Sequence, residues 1–166
     1  MVIREIQTND AEAFLNLCHK LDKETQFMML EPDERTTTVN EQFAQIENII
    51  SKDNQTILVA EHNNQLIGYI RADGGRYKRN RHSGYIVMGI LQSFIGQGIG
   101  TMLLRELERW AIENKIHRLE LTVMVHNEAG LALYKKMDFG IEGTKKHSLF
   151  INGSYVDEYY MAKLLS

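Results

Sequence analysis

The chain reads as a mixed α+β protein built on one mostly antiparallel sheet of about seven strands, with helices on both faces. Three observations predict this. Apolar residues alternate with period two in seven short runs and recur at helical spacing in four others, in the order β-α-α-β-β-β-α-β-α-β-β. Two tight-turn signals, at His62-Asn63-Asn64 and Asn152-Gly153, mark antiparallel hairpins. Two later connections between strands run through a helix, so two parallel-type crossovers are mixed with the hairpins and the sheet is mixed.

Val2 to Ile6 alternates and predicts the first strand. Asn9 or Asp10 caps the helix that follows, whose Ala13, Phe14, Leu17 and Leu21 fall on one face. Thr25 to Arg35 holds Pro32, the one proline, and reads as a loop. A second helix is predicted from about Thr37 to Ser51, with Val39, Phe43, Ile46 and Ile50 as its inward stripe. Gln55 to Glu61, Leu66 to Ala72 and Tyr85 to Leu91 read as strands. The helix over Thr101 to Asn114 turns Ile99, Met102, Leu103, Leu107 and Trp110 toward the sheet. In His117 to Val125, Leu119, Leu121, Val123 and Val125 share one face, and Arg118, Glu120, Thr122 and Met124 the other. Asn127 caps a short helix ending near Lys136, and the strands Phe139 to Ile151 and Ser154 to Leu164 close the chain.

Composition narrows the class. A chain of 166 residues, 43% hydrophobic and 25% charged, predicts one globular domain with a core large enough to need no disulfide. Cys18 is the only cysteine, which excludes an internal disulfide and a cysteine-rich metal site. A net charge of −3 gives no electrostatic reason for a nucleic-acid partner. No apolar run is long enough to span a bilayer, and Met1 to Asp10 lacks the apolar segment of a secretion signal, so no membrane partner and a cytoplasmic location are expected. The one cluster of charge, Arg76-Tyr77-Lys78-Arg79-Asn80-Arg81-His82, fits either a solvated hairpin loop or a source of positive potential at the mouth of an anion site.

The most specific signal is Ile95-Gly96-Gln97-Gly98-Ile99-Gly100 at the junction of a strand and a helix. Glycines there leave backbone N–H groups bare at a helix N-terminus, a site suited to phosphate. The spacing matches neither G-x-G-x-x-G nor a P-loop, since Gly100 is followed by Thr101 instead of Lys-Ser/Thr. It resembles the coenzyme A pyrophosphate loop of the Gcn5-related N-acetyltransferase (GNAT) superfamily, Q/R-x-x-G-x-G/A, with Ile95 in place of the usual Gln or Arg. About thirty residues on, Asn127-Glu128-Ala129-Gly130-Leu131-Ala132-Leu133-Tyr134-Lys135-Lys136-Met137-Asp138-Phe139 resembles that superfamily's N-x-x-A-x-x-L-Y-x-K-x-G-F. Asn127, Leu133, Tyr134, Lys136 and Phe139 are in register, Gly130 replaces Ala, and Asp138 replaces Gly at a turn that tolerates a left-handed residue. The closing hairpin looks like that of a bacterial branch acting on amino acids and on protein N-termini.

The resemblance implies the acyl-CoA N-acyltransferase fold, acetyl-CoA as donor and a primary amine of a small molecule or peptide as acceptor. Its cofactor-binding residues would be Met88, Ile90, Leu91, Ile95, Gly96, Gln97, Gly98, Ile99, Gly100, Thr101, Asn127, Tyr134 and Lys136. In the family two strands part, and the pantetheine arm pairs with the exposed edge, here Met88 to Leu91. The N–H of Ile90 or Leu91 would hold the oxyanion formed when a neutral amine attacks the thioester. Tyr134 is the candidate to protonate the leaving thiolate, against an aromatic that only packs on its helix. Asn127 would bond the pantetheine or a water as well as capping its helix. Glu120 is the candidate base, against a carboxylate paired with Arg118; His82, His126 and Asp157 are alternatives, and an amine of modest pKa needs none.

Phe27, Met28 and Met29 fit an acceptor pocket or the cover of a core edge, and Tyr155, Tyr159 and Tyr160 fit packing or a homodimer seam. Two other functions remain open from the residues alone: a catalytically inactive CoA-binding module, and a protein N-terminal acetyltransferase.

Overall fold

The computed structural model describes residues 1–166. Seven strands form one sheet: β1 (Val2–Glu5), β2 (Gln55–His62), β3 (Gln65–Gly74), β4 (Ser83–Ile90), β5 (Arg118–Met124), β6 (Gly140–Ile151) and β7 (Ser154–Leu164). The helices are α1 (Ala11–Glu24), α2 (Val39–Ile50), α3 (Ile99–Glu113) and α4 (Glu128–Lys136). The spatial order is β1-β2-β3-β4-β5-β7-β6, and β4 against β5 is the one parallel pairing. The mixed, mostly antiparallel architecture expected from the element order is the one observed.

Local chemistry builds the hairpins as the sequence predicts. Asn63 and Asn64 have φ of 50° and 61°, Asn152 and Gly153 of 50° and 79°. Each pair forms a two-residue turn, of the type whose twist matches the flanking strands, joining His62 to Gln65 and Ile151 to Ser154. β7 lies inside, next to β5, while β6 forms the edge with most of its residues exposed. Its Lys145-Lys146 pair and register shifts suit an edge that must resist pairing with another chain.

The helices flank the sheet on opposite sides. A Cβ on Gly89 would meet Leu21 of α1, whereas the next residue of β4, Ile90, lies beside Gly100 of α3. Consecutive strand residues face opposite ways, so α1 and α3 cover opposite faces. Between them lies a continuous apolar core that includes Ile46, Ile57, Ile67, Ile70, Leu103, Leu107 and Leu119. Burying each such side chain contributes about 1.5–3 kcal/mol.

Three helix faces differ from expectation: α1 buries Ala11, Phe14, Leu17 and Leu21 but leaves Ala13 exposed. α2 buries Gln42, Ile46 and Ile49 and leaves Val39, Phe43 and Ile50 exposed. Both stripes have helical spacing and share Ile46, so periodicity cannot choose between them. The choice is made by docking on α1 and β2. In α3 the buried set is Ile99, Gly100, Leu103, Leu104, Leu107 and Ala111; Met102 is exposed and Trp110 half-buried. The small residues Gly100 and Ala111 let the helix sit close to its neighbours, which rotates Met102 outward.

Candidate active site

The junction between β4 and α3 is open where an anion would sit. Gly96 and Gly98 hold φ of 83° and 80°, and a Cβ on either would find no atom within 4 Å. Gly98 is the N-cap of α3 and no side chain caps it. The first N–H taken up by the helix is that of Met102, which donates to the Gly98 carbonyl at 3.1 Å. The N–H groups of Ile99, Gly100 and Thr101 therefore have no partner within the helix and lie at its positive end. Lys136 Nζ stands 3.5 Å from Thr101 Oγ1 and adds a full charge.

The three glycines are not equivalent. A Cβ on Gly100 would lie 2.6 Å from Leu133 Cδ2, so this glycine permits close packing of α3 on α4. Ile99 is buried and offers only its backbone, and Ile95 exposes its side chain. The Gln97 amide turns back to the Ser93 carbonyl at 3.4 Å.

β4 and β5 part as the resemblance implies. They pair only at Ser83↔Arg118, Gly84↔Leu119 and Tyr85↔Glu120. Beyond Tyr85, β4 continues along β3 to Ile90↔Gly68, while β5 turns away with β7. The ladder between β3 and β4 is anchored by Gly75 N–H on the Ser83 carbonyl and Leu91 N–H on the Ile67 carbonyl, at 3.2 and 2.9 Å. Antiparallel alternation then points the N–H groups of Tyr85, Val87 and Gly89 toward β3, and those of Met88 and Ile90 into the parting. This corrects one expectation: the Leu91 N–H is occupied within the sheet and cannot hold an oxyanion, and its side chain is buried.

Side chains from α4, β4 and β5 converge on the parting. Tyr134, on α4, is half-buried and packs edge-on against Phe139 with ring centroids 5.7 Å apart. Burial, with a smaller effect of the neighbouring Tyr85 phenol, pushes its pKa up to about 12. Asn127 Oδ1 accepts the Gly130 N–H at 3.0 Å, the expected cap. Asp138, φ 68°, makes the left-handed turn after α4. Across the parting the Tyr85 hydroxyl bonds Thr122 Oγ1 at 2.8 Å.

Glu120 sits at the closed end and accepts from Arg118 Nε at 2.8 Å. Arg118 also clasps Glu142, at 3.0 and 2.6 Å, which holds that carboxyl below its usual range. Tyr85, Arg118, Glu120, Thr122, Glu142 and Tyr160 line a cleft of about 310 Å³ here. Sequence reasoning missed Tyr85 and Thr122; the alternation of β5, which puts Thr122 on the face of Glu120, was the available signal.

The alternative bases scatter. His82 lies beside His117, 6.5 Å between rings, at the far end of β4. Asp157 accepts the His147 N–H at 2.7 Å within the closing hairpin. His126 follows β5 and lies 5.2 Å from the Phe27 ring, at the mouth of the parting. The basic loop precedes β4, whereas the glycine junction follows it. Seven residue steps of strand, about 23 Å, separate the two, so this loop cannot supply the mouth of the phosphate site. Arg81 instead pairs with Asp53 at 3.3 Å. The three tyrosines are no single stripe, since Tyr159 and Tyr160 are consecutive on β7 and face opposite sides.

The sequence pattern of the acetyltransferase (GNAT) family matches residues 17–139. The chain is 33% identical over 111 residues to an L-amino acid N-acetyltransferase, AaaT, of Escherichia coli K12, covering 64% of this chain and 67% of that protein. The crystal structure of a GNAT-family acetyltransferase from Streptococcus pneumoniae superposes with a TM-score of 0.96 at 32% identity, covering 99% of both chains. A ribosomal-protein-alanine N-acetyltransferase from Brucella melitensis superposes with a TM-score of 0.87 at 28% identity, covering 99% of this chain and 100% of that one.

Proposed function

Because this chain belongs to the acetyltransferase (GNAT) family, we propose that it transfers the acetyl group of acetyl-CoA to a primary amine of a small molecule or peptide. The observation that carries this reading is the freed edge of β4 ending at the bare N-terminus of α3. Acetyl-CoA, the cosubstrate, supplies an acyl group activated by a thiol leaving group. The residues present suit it: Gly96 and Gly98 keep space beside the loop, and the N–H groups of Ile99, Gly100 and Thr101, with Lys136, would hold the diphosphate.

From that loop the freed edge runs toward the closed end of the parting. The Ile90 N–H comes first and suits the pantetheine amide; the Met88 N–H, two residues deeper, suits the thioester carbonyl and takes the charge that develops on its oxygen. Tyr134, a phenol that is protonated at neutral pH even at its ordinary pKa of about 10, donates to the departing sulfur. Glu120 pairs opposite Tyr85, three residues or about 10 Å of strand from Met88. Its carboxylate, already paired with Arg118, would reach the proton of the amine only through a water. Asn127 Nδ2, with its oxygen committed to the cap, offers a donor at the same mouth.

The test is release of free thiol from acetyl-CoA in the presence of L-amino acids, simple amines, and peptides that begin with alanine. Amine-dependent release supports the reading, and preference for peptides over free amino acids would favour N-terminal acetylation. Binding of acetyl-CoA without turnover on any amine would overturn it in favour of a binding module.

A further inference from the structure

The segment between α1 and α2, residues 25–38, reaches over the parting, yet few contacts hold it there. The Phe27 ring lies 5.2 Å from His126, and Gln26 Oε1 accepts from Asn152 Nδ2 of the closing hairpin at a long 3.4 Å. Met28 rests on the core while Met29 is 71% exposed. Arg35 aside, the remaining side-chain hydrogen bonds are local in sequence: the Phe27 N–H to Thr25 Oγ1, the Glu31 N–H to Glu34, and the capping box by which Thr38 and Glu41 start α2. None of these sets where the segment lies on the protein.

One interaction does. Arg35 donates from Nε to Asp22 Oδ2 at 2.7 Å and from a terminal nitrogen to Oδ1 at 3.0 Å. The Asp22 side chain, in the last turns of α1, is fully inaccessible, and that of Arg35 is 18% exposed. Breaking the pair would leave the buried carboxylate without its partner, at a large cost in free energy, so the folded chain strongly favours keeping the two-point bond. Its planar geometry also fixes the direction from which Arg35 approaches, which an ammonium would not.

We infer that the Asp22–Arg35 pair is a positioning latch: it holds Phe27 against His126 at the mouth of the β4/β5 parting, with Met28 seated on the core beside it, and thereby sets affinity for the amine, with no part in holding acetyl-CoA. The inference rests on the reading that the amine enters over this parting. Neither residue touches the reacting atoms. The latch acts through the wall it places, and displacing such a wall by an ångström weakens productive docking of the acceptor alone.

The test uses Asp22→Asn, in which Arg35 is free to swing into water, and Asp22→Asn with Arg35→Met, which leaves no buried charge behind. Arg35→Lys is the conservative variant, keeping the charge but only one point of contact. With the best amine from the panel above, the acceptor KM should rise about tenfold or more in the first two variants and less in the third. The dissociation constant for acetyl-CoA should stay within about twofold of the parent value. A second measurement needs no acceptor. The His126 ring protons should show a ring-current shift that Phe27→Leu abolishes, and the two latch variants should move them to the Phe27→Leu position. Unchanged His126 signals in the folded double variant overturn the latch. So does an acceptor KM that stays put, or one that rises only together with the acetyl-CoA constant. Failure of the parent protein to acetylate any amine would instead count against the proposed function, and the His126 measurement would still decide the latch.

Discussion

Substitution of Gly98 separates the two reasons for a glycine at that position. Its φ of 80° lies in the left-handed region, and the space beside its Cα is open. Alanine there costs about 1–2 kcal/mol of backbone strain, which for a chain of this size lowers Tm by roughly 2–8 °C. Gly153, at the tip of the β6–β7 hairpin, has φ of 79° and equally open surroundings, so Gly153→Ala carries the same strain far from the α3 N-terminus. Ligand binding distinguishes them. At a concentration about 100 times Kd, acetyl-CoA stabilises the parent by roughly 2.7 kcal/mol, a rise in Tm of about 5–11 °C. Gly153→Ala should keep that rise in full. Gly98→Ala fills the space a phosphate needs; a loss of about 100-fold in affinity leaves roughly 0.4 kcal/mol and a rise near 1 °C. Gly98→Val should abolish the rise. Thermal melts with and without acetyl-CoA read all of this, and a full ligand-induced rise in Gly98→Ala would show that the diphosphate binds elsewhere.

Tyr134→Phe should lower kcat by roughly 100-fold and leave the KM for acetyl-CoA nearly unchanged, since only a proton is removed. The donor must be neutral, and burial keeps it so up to a pKa of about 12. At saturating acetyl-CoA the parent kcat should thus show no fall near pH 10, and a fall centred there that Tyr134→Phe removes would contradict the assignment. Gly130→Ala should be close to neutral for stability. The new Cβ would lie 2.7 Å from Asn127 Nδ2 and dislodge the cap, a loss of about 1 kcal/mol that nearly cancels the helical gain of about 1 kcal/mol from replacing glycine; a chemical denaturation midpoint shifted strongly either way would refute this balance. Asp10 accepts two bonds from Arg4, at 2.8 and 2.9 Å, and one from the Gln7 N–H, which together hold its pKa below the usual 3.8. Its contribution is present above that value and lost as pH falls through the lowered one. Asp10→Asn should therefore cost about 1–3 kcal/mol at neutral pH and progressively less toward pH 2, measured by urea unfolding at each pH.

Features that depend on a few neighbouring residues could be read directly from the chain. Asn152-Gly153, Asp138 and the Asn127 cap each carry their own backbone preference. Gly96 and Gly98 announce a conformation that other residues avoid, and alternation in β5 assigns its faces without reference to any partner. Those signals, with the spacing from Gly96 to Tyr134, suffice for the fold and mark the proposed cofactor end of the site. What depended on long-range packing was silent. Val39-Phe43-Ile50 and Gln42-Ile46-Ile49 are equally periodic, and only contact with α1 and β2 selects the second. Ile90 and Leu91 are both apolar strand residues, yet the register against β3 leaves one N–H free and uses the other. Arg35 finds Asp22 thirteen positions away through the path of a loop that no local preference dictates. Side-chain periodicity and turn conformation are properties of adjacent residues, whereas which donor remains unpaired and which charges meet depend on where distant segments come to rest.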